Sequence, residues 1–279
     1  MIYRGYKILY DYHTHTVFSH GKGSIEDNVL SARKLGLKAV AISDHSVGHR
    51  AHGVKKSSLK KMRSEIDRLN EVYEDIDIYL SMEANFTQNG SKVDITLEEL
   101  EVMDFLIAGF HYSARNCNAV RNFIHKNNKK EGSPSLRRLR MQNTDMVVEA
   151  IETNDIKIIT HPVYGAPVHM DEVFKACEKR GTLLEINCKH DEIGVEDIKA
   201  AMKYDVGFVI SSDAHASSKV GRLERGIDRA IEAGLDISFI RWRRPSSTRA
   251  WSCTFAWVST RAMRTSRSAV RWSSPTAPE

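Results

Sequence analysis

Several features that would place a chain in a familiar class are missing from this sequence. No apolar run approaches the roughly 20 residues that a helix needs to cross a bilayer. The N-terminal stretch MIYRGYKILYDYHTHT lacks the charged region, apolar segment and small-residue cleavage site of a signal peptide. We therefore expect a cytoplasmic protein with no membrane partner.

Cysteine is scarce and scattered. The four cysteines, Cys117, Cys177, Cys188 and Cys253, show no C-x-x-C spacing, which argues against a disulfide framework and against a structural zinc knuckle. Neither G-x-G-x-x-G nor a Walker loop is present to indicate a nucleotide-binding open sheet. If the chain binds metal, imidazoles and carboxylates rather than thiolates should hold it.

The body of the chain also lacks excess charge. The net charge of +5 comes from residues 241–279, which carry eight Arg, all four Trp, eight Ser, no Lys and one acidic residue. Residues 1–240 carry 33 basic and 35 acidic residues, so they offer no broad basic footprint for nucleic acid. We predict one domain over 1–240 and an atypical tail over 241–279. A shifted reading frame after Phe239 or disorder would explain this tail, and a nucleic-acid-binding tail is the alternative.

Short β-branched segments alternate with longer amphipathic stretches along the first 240 residues. This alternation predicts βα units and a parallel sheet. The predicted strands are KILYDYHT, KAVAISDH, IDIYLSMEAN, DFLIAGFH, IKIITHP, TLLEINC and VGFVISSDAH. A first helix should start at the Ser24 cap and end at Gly36. Further helices are expected at roughly 55–74, 136–154, 169–180, 195–204 and 220–234, and 125–135 should be a polar surface excursion.

Six of the seven predicted strands end in a residue whose side chain can bind a metal ion. The carboxyl ends of parallel strands lie at one edge, and a closed barrel gathers these ends into a ring, whereas an open sheet spreads them out. The residues are His13 and His15, Asp44 and His45, Glu83, His111, His161, and Asp213 and His215. The sequence therefore favours a barrel with a metal site at the carboxyl ends of its strands.

Two pairs of these residues share the same spacing. His13 with His15, and Asp213 with His215, are separated by one residue, so on a strand each pair points to one side and can address one ion. Imidazole and carboxylate ligands suit Zn²⁺, Mn²⁺ or Fe²⁺. Five other histidines lack this placement at a strand end, although three of them could contact substrate from loops. They are His125 and His169, and the loop residues His49, His52 and His190.

The motifs, taken in order, resemble the PHP family, named for polymerase and histidinol phosphatase. They are HTHT, SDH, MEAN, GFH, THP and SDAH, and the resemblance covers about residues 8–235. It implies a distorted seven-stranded TIM-like (β/α) barrel and the branch of phosphatases with three metals. The implied ligand sets are His13, His15, Glu83 and Asp213 for one ion, Glu83, His111 and His161 for a second, and His20, His45 and His215 for a third.

This resemblance implies a phosphoesterase with two or three divalent ions, two of which Glu83 bridges. A metal-activated water would hydrolyse a small phosphomonoester, with histidinol phosphate as one specific candidate. The alternatives are a nucleotide or DNA-end processing phosphoesterase and a non-catalytic metal-binding module. The oligomeric state is left open.

Four further residues are predicted to support the site. Asp11 and Asp44 lie next to candidate ligands and could orient their imidazoles, with a solvated strand-end carboxylate as the alternative. Arg115 and Arg222 follow strands four and seven, where a guanidinium could bind the substrate phosphate.

Overall fold

The structure, a computed structural model, describes residues 3–6, 8–112, 114, 118–128 and 132–236. The predicted tail over 241–279 and Arg115 lie outside these residues. Seven strands run through the described part: β1 Tyr10–Thr14, β2 Ala39–Ile42, β3 Asp77–Asn85, β4 Phe105–Gly109, β5 Ile156–Ile159, β6 Leu183–Asn187 and β7 Phe208–Ser211. Every strand predicted from the sequence is present.

All seven strands are parallel and pair in chain order from β1 to β7. The first and last strands meet just beyond their ends, where Thr14 bridges Ala214 and the His15 amide donates to the Ala214 carbonyl at 2.8 Å. The sheet is therefore a nearly closed barrel, which confirms the predicted fold class. This closure gathers the strand ends into a ring.

Helices connect the strands. They are α1 Ile25–Lys34, α2 Leu59–Val72, α3 Leu97–Leu100, α4 Ala119–Asn128, α5 Pro134–Thr153, α6 Met170–Arg180, α7 Val195–Ala201 and α8 Glu224–Glu232. The predicted start of α1 is confirmed, because Ser24 and Asp27 form a reciprocal capping box. Gly36 follows with a φ of 72°, a left-handed conformation that favours glycine.

Two helices were missed by the sequence analysis. Helix α3 is a single turn, too short for a periodic pattern, and it starts at a capping box between Thr96 and Glu99. Helix α4 leaves Val120, Phe123 and Ile124 exposed, so its apolar residues do not mark a buried face. The predicted excursion over 125–135 was therefore wrong at both ends, where α4 continues to 128 and α5 begins at 134.

The strands are buried and mostly apolar, as expected for a parallel sheet covered by helices. Exceptions are three acidic side chains inside strands, Asp11, Glu83 and Glu185, each no more than 1% exposed. A buried carboxylate is costly unless it is paired or bound to a cation. We therefore look for polar partners or a cation beside each of these three carboxylates. No helix in the described ranges is long and apolar enough to cross a membrane.

Candidate metal centre

Glu83 lies at the centre of the ring of strand ends. Four imidazole nitrogens surround its Oε2 atom, at 3.3 Å from His13, 3.7 Å from His15, 3.0 Å from His45 and 3.3 Å from His111. Its other oxygen, Oε1, lies 2.8 Å from Nε2 of a fifth imidazole, that of His161. One carboxylate thus meets side chains from the ends of four other strands.

Asp213 forms a second contact point beside Glu83. Its Oδ1 atom lies 3.4 Å from His15 Nε2, 3.8 Å from His13 Nε2 and 3.2 Å from His215 Nδ1. The Nε2 atoms of His13 and His15 are 3.1 Å apart, so the H-x-H pair does point to one place. The structure thus brings the side chains of both pairs together beside Glu83.

His20 reaches the cluster from the turn after β1. Its ring centroid is 4.1 Å from that of His215 and 4.8 Å from that of His45. The turn depends on Gly21, because a β-carbon there would lie 2.6 Å from the carbonyl carbon of His15. Close packing of the chain against itself thus brings the third histidine of the first motif to the site.

The donor set fits divalent metal ions. Two ligand atoms that are each about 2.1 Å from one tetrahedral ion stand about 3.4 Å apart, which is the spacing found around Glu83. Two buried atoms that face the centre, Glu83 Oε2 and His45 Nδ1, also have no hydrogen-bond partner, a costly state that a cation would relieve.

Groups of three donors lie within 4.8 Å of one another in four combinations. One of them lies within a predicted ligand set, two combine members of two predicted sets, and one adds His49, which had no predicted ligand role. The combinations are His13, His15 and Asp213; His13, Glu83 and His161; His15, His45 and His215; and His45, His49 and His111.

Electrostatics within the cluster keep both carboxylates ionised. Burial would raise the pKa of Glu83, but His111, His13 and His161 hold it well below its usual range. For Asp213, burial is likewise outweighed, chiefly by His13, and the pKa is well below the usual value. Burial lowers the pKa of His15 to about 3, so this ring is neutral and able to ligate at neutral pH.

Glu185, which the sequence analysis did not select, holds two of the candidate ligands. Its Oε1 lies 2.8 Å from His13 Nδ1, and its Oε2 accepts from the backbone N–H of His161 at 3.0 Å. The bond to Nδ1 leaves His13 Nε2 to face Glu83, an arrangement typical of metal-binding histidines. The available signal was a charged residue between two apolar ones, Leu184 and Ile186, inside the strand LLEIN.

His111 is held in the same manner by a different chain of contacts. Its Nδ1 lies 2.7 Å from Asn85 Oδ1, and the Asn85 amide donates to Ser46 Oγ at 2.9 Å and to Asp94. The bond at Nδ1 directs Nε2 toward Glu83. Asp94 was not selected because it lies in a loop, far from any strand end in the sequence.

Asp11 and Asp44 shape the loops that carry ligands. Asp11 accepts from the amides of Ser212 and Gly221 at 3.0 and 2.8 Å, which fixes the segment around Asp213. Asp44 accepts from the Thr16 amide at 2.7 Å and from the Thr16 and Ser19 hydroxyls, in the turn before His20. Their hydrogen bonds thus go to loop segments instead of the imidazole rings for which we proposed them.

Two candidate ligands have an unusual backbone. His161 and Asp213 have φ values of 27° and 51°, in the left-handed region that residues other than glycine seldom adopt. Residues held in this conformation concentrate at functional sites because the surrounding structure imposes it. Both residues follow the last hydrogen-bonded position of their strands, where the chain must turn to aim a side chain inward.

A cleft of about 260 Å³ opens over the cluster. Apart from candidate ligands, its walls carry side chains that had no ligand role in our prediction. These are His49, His52, Tyr112, Tyr164, Lys189 and His190. The three loop histidines that were kept as possible substrate contacts thus all face the cleft, whereas His169 is exposed elsewhere.

Of the two predicted phosphate-binding arginines, the structure describes Arg222, and this residue does not line the cleft. Arg222 has 52% of its side chain exposed, lies 3.9 Å from Glu224 and is absent from the cleft lining. Arg115 lies outside the described residues. Among the residues that the structure describes, Lys189 is the cation that lines the cleft.

In this barrel, imidazoles and carboxylates converge on one buried centre. A model of the PHP domain matches residues 11–189. The chain therefore belongs to the PHP domain family, which confirms the resemblance drawn from its motifs and the predicted class, a metal-dependent phosphoesterase.

Curated relatives agree with this membership. The chain is 27% identical over 243 residues to a probable phosphatase of Thermoanaerobacter sp. (strain X514), covering 82% of this chain and 88% of that protein. It is 26% identical over 230 residues to the DNA polymerase/3'-5' exonuclease PolX of Bacillus subtilis (strain 168), covering 79% of this chain and 36% of PolX.

A solved structure shows the same fold. Histidinol phosphate phosphatase from Lactococcus lactis subsp. lactis Il1403, complexed with zinc, L-histidinol and phosphate, superposes with a TM-score of 0.58 at 15% identity. The superposition covers 81% of this chain and 94% of that one.

Proposed function

We propose that this protein hydrolyses a small phosphomonoester at a centre of two or three divalent ions, which are zinc, manganese or iron. The observation that carries the proposal is the Oε2 atom of Glu83, surrounded by four imidazole nitrogens at 3.0–3.7 Å and without a hydrogen-bond partner. A carboxylate in this setting suits a bridge between ions. The ligand sets implied by the family resemblance are the sets that we propose.

When bound, such ions supply a water of lowered pKa and positive charge for the phosphoryl oxygens. The protein's own residues hold the geometry. Glu185 orients His13 through Nδ1, and Asn85 does the same for His111, so neither ring has to reorganise. The neutral His15 and the anionic Glu83 are already in the protonation states that ligation needs.

Lys189 is the proposed contact for the substrate phosphate, in place of Arg222. Its Nζ atom lies 3.1 Å from His215 Nδ1 and 3.5 Å from Asp213 Oδ1, at the edge of the proposed metal centre. An ammonium group there can reach an anion that is also bound by the cluster. With 43% of its side chain exposed, it can move to meet a substrate.

Elemental analysis and phosphate release test this function together. We expect at least two ions per chain and hydrolysis across a panel of phosphomonoesters that includes histidinol phosphate. Glu83→Gln should lower activity by more than the ~100-fold that loss of an outer partner of a metal ligand can cost. Fewer than two ions per chain, with no activity after metal addition, would refute the proposal and favour a non-catalytic module.

The nucleic-acid alternative is favoured by one finding, the similarity to PolX. A single-stranded oligonucleotide assayed beside the phosphomonoester panel separates the two functions. We expect the phosphomonoesters to be the better substrates, since the residues over 1–240 carry no excess of basic charge. Activity on the oligonucleotide alone would reverse this choice. Cytoplasmic location remains part of the proposal.

A further inference from the structure

The segment after β6 brings two side chains into the cleft. We call residues 188–194 the β6 loop. Lys189 lies against Asp213 and His215, and His190 Nε2 is 3.4 Å from Asp213 Oδ2. Because a loop has no sheet partner, other groups must fix its backbone if these side chains are to stay in place.

One hold comes from the strand end itself. The Oδ1 atom of Asn187 accepts from the amides of Lys189 and His190 at 2.9 and 2.8 Å. Its Nδ2 group donates to Glu185 Oε2 at 2.8 Å, which links the start of the loop to the holder of His13. The amide groups of the loop are thereby fixed from the side of the metal centre.

The carbonyl groups are fixed from the opposite side by Arg229 on α8. Its Nη1 donates to the carbonyl oxygens of His190 and Ile193 at 3.3 and 2.9 Å, and its Nη2 donates to that of Asn187. A planar guanidinium with five N–H donors can serve three separate carbonyls, which a lysine ammonium cannot do in the same geometry. Arg229 therefore binds the last carbonyl of β6 and two carbonyls within the β6 loop.

Helix α8 can do this because it packs closely against β6 and β7. A β-carbon at Gly226 would lie 2.8 Å from Cys188 Sγ and closer still to Ile210 Cγ2. Gly226 thus permits the approach, and Arg229 lies one turn later on the same helix.

The same helix provides a natural comparison. Arg225 also reaches the loop, with Nη2 3.0 Å from Asp191 Oδ2, but both side chains are more than half exposed, at 60% and 70%. Exposed ion pairs contribute little because water screens them and the side chains remain mobile. Of these two arginines, Arg229 is the one that binds the loop backbone, whereas Arg225 contacts a side chain, so the two should differ sharply in effect.

We propose that Arg229 is a positioning residue for substrate binding, which holds the β6 loop so that Lys189 and His190 face the phosphate. This inference rests on the proposed phosphatase function. Arg229 acts through the loop and does not line the cleft.

Steady-state kinetics of Arg229→Ala, Arg229→Lys and Arg225→Ala test this role at the full metal content of the wild type. Arg229→Ala should raise KM about tenfold, with kcat changed by less than about threefold, because binding is loosened while the metal centre stays intact. Arg229→Lys should recover only part of the loss, and Arg225→Ala should stay within about twofold of wild type.

Coupling identifies the path of the effect. If Arg229 acts through Lys189, the Lys189→Ala/Arg229→Ala double variant should have a KM close to that of Lys189→Ala alone. A full multiplication of the two single effects, or an unchanged KM in folded Arg229→Ala, would overturn the proposal.

Hydrogen exchange gives a readout that does not need catalysis. Amides of residues 188–194 should exchange faster in Arg229→Ala than in wild type or Arg225→Ala, with the other strand ends unchanged. This result distinguishes a failed positioning role from a failed phosphatase assignment. If Arg229→Ala does not fold, Arg229→Lys carries the same comparison, and wild-type exchange and KM in that variant would contradict the inference.

Discussion

A charge inside an apolar strand needs a partner, and at the residue scale Glu185 shows where that partner lies. Glu185 stands between Leu184 and Ile186 in the sequence, and its side chain is fully buried. Both of its oxygens nevertheless have partners, His13 Nδ1 and the amide of His161. Its position in the sequence, inside a strand instead of at its end, hid it from a search for strand-end ligands. Burial and the hydrogen bonds identified it.

Replacing this carboxylate by an amide tests its role. In Glu185→Gln the size is kept but the charge beside His13 is lost, so that ring is less firmly oriented and less basic as a ligand. We expect a ~10- to 100-fold loss in metal affinity or activity, which is the usual range for such partners. Metal titration followed by phosphate release measures both quantities.

The control is Glu196→Gln, because 84% of that side chain is exposed and its partner is a surface lysine. It should behave as wild type. Equal metal binding and turnover in Glu185→Gln and Glu196→Gln would show that the buried charge is dispensable.

At the scale of elements, the fit between β4 and the end of β5 sets the place of one ligand. Gly109 ends β4, and a β-carbon there would lie 2.8 Å from His161 Cε1 and closer still to Thr160 Oγ1. That hydroxyl donates to Glu83 Oε1 at 2.7 Å. The absence of a side chain at Gly109 therefore lets Thr160 and His161 approach the central carboxylate.

Adding one methyl group should disturb this arrangement. In Gly109→Ala, Thr160 and His161 must move, because both are buried and packed. We expect a destabilisation of about 1–3 kcal/mol, as for overpacking in a core, and at least a tenfold loss of activity. Thermal unfolding and kinetics measure these effects.

Gly90→Ala is a matched control, since a β-carbon there meets nothing within 4 Å. If Gly109→Ala retained wild-type activity and metal content, the close approach would not matter for the site.

At the scale of the whole molecule, barrel closure brings together residues that are far apart in the chain. Asp11 binds the amides of Ser212 and Gly221, and His15 pairs with Ala214 across the seam between β1 and β7. Helix α8 follows β7 and packs against β6 and β7, and Leu235 still packs against the core. The contacts that complete the barrel thus extend to the end of the described residues.

We predict that a chain ending at residue 240 keeps the stability and activity of the full chain. The predicted tail over 241–279 would then contribute nothing to the core. The two melting temperatures, measured with metal bound, should agree within about 2 °C, the lower end of the roughly 2–4 °C shift expected for 1 kcal/mol in a domain of this size. A larger drop on truncation would show that the tail belongs to the folded unit.

The sequence by itself determined the alternation of strands and helices, the barrel and the candidate metal ligands at its strand ends. These properties depend on local periodicity, spacing and residue chemistry, as in the H-x-H pair of His13 and His15. The capping box of Ser24 and Asp27 is equally local. For that reason all seven strands and the family resemblance could be recognised before any coordinates.

Only the tertiary structure decided which side chains support these ligands. Glu185, Asn85 and Asp94 reach the site through packing between distant segments, which leaves no fixed spacing in the chain. For the same reason the cation that lines the cleft is Lys189 and not Arg222, because the direction of a loop side chain depends on the groups that hold the loop. Arg229 holds that loop from a helix about 40 residues further along the chain.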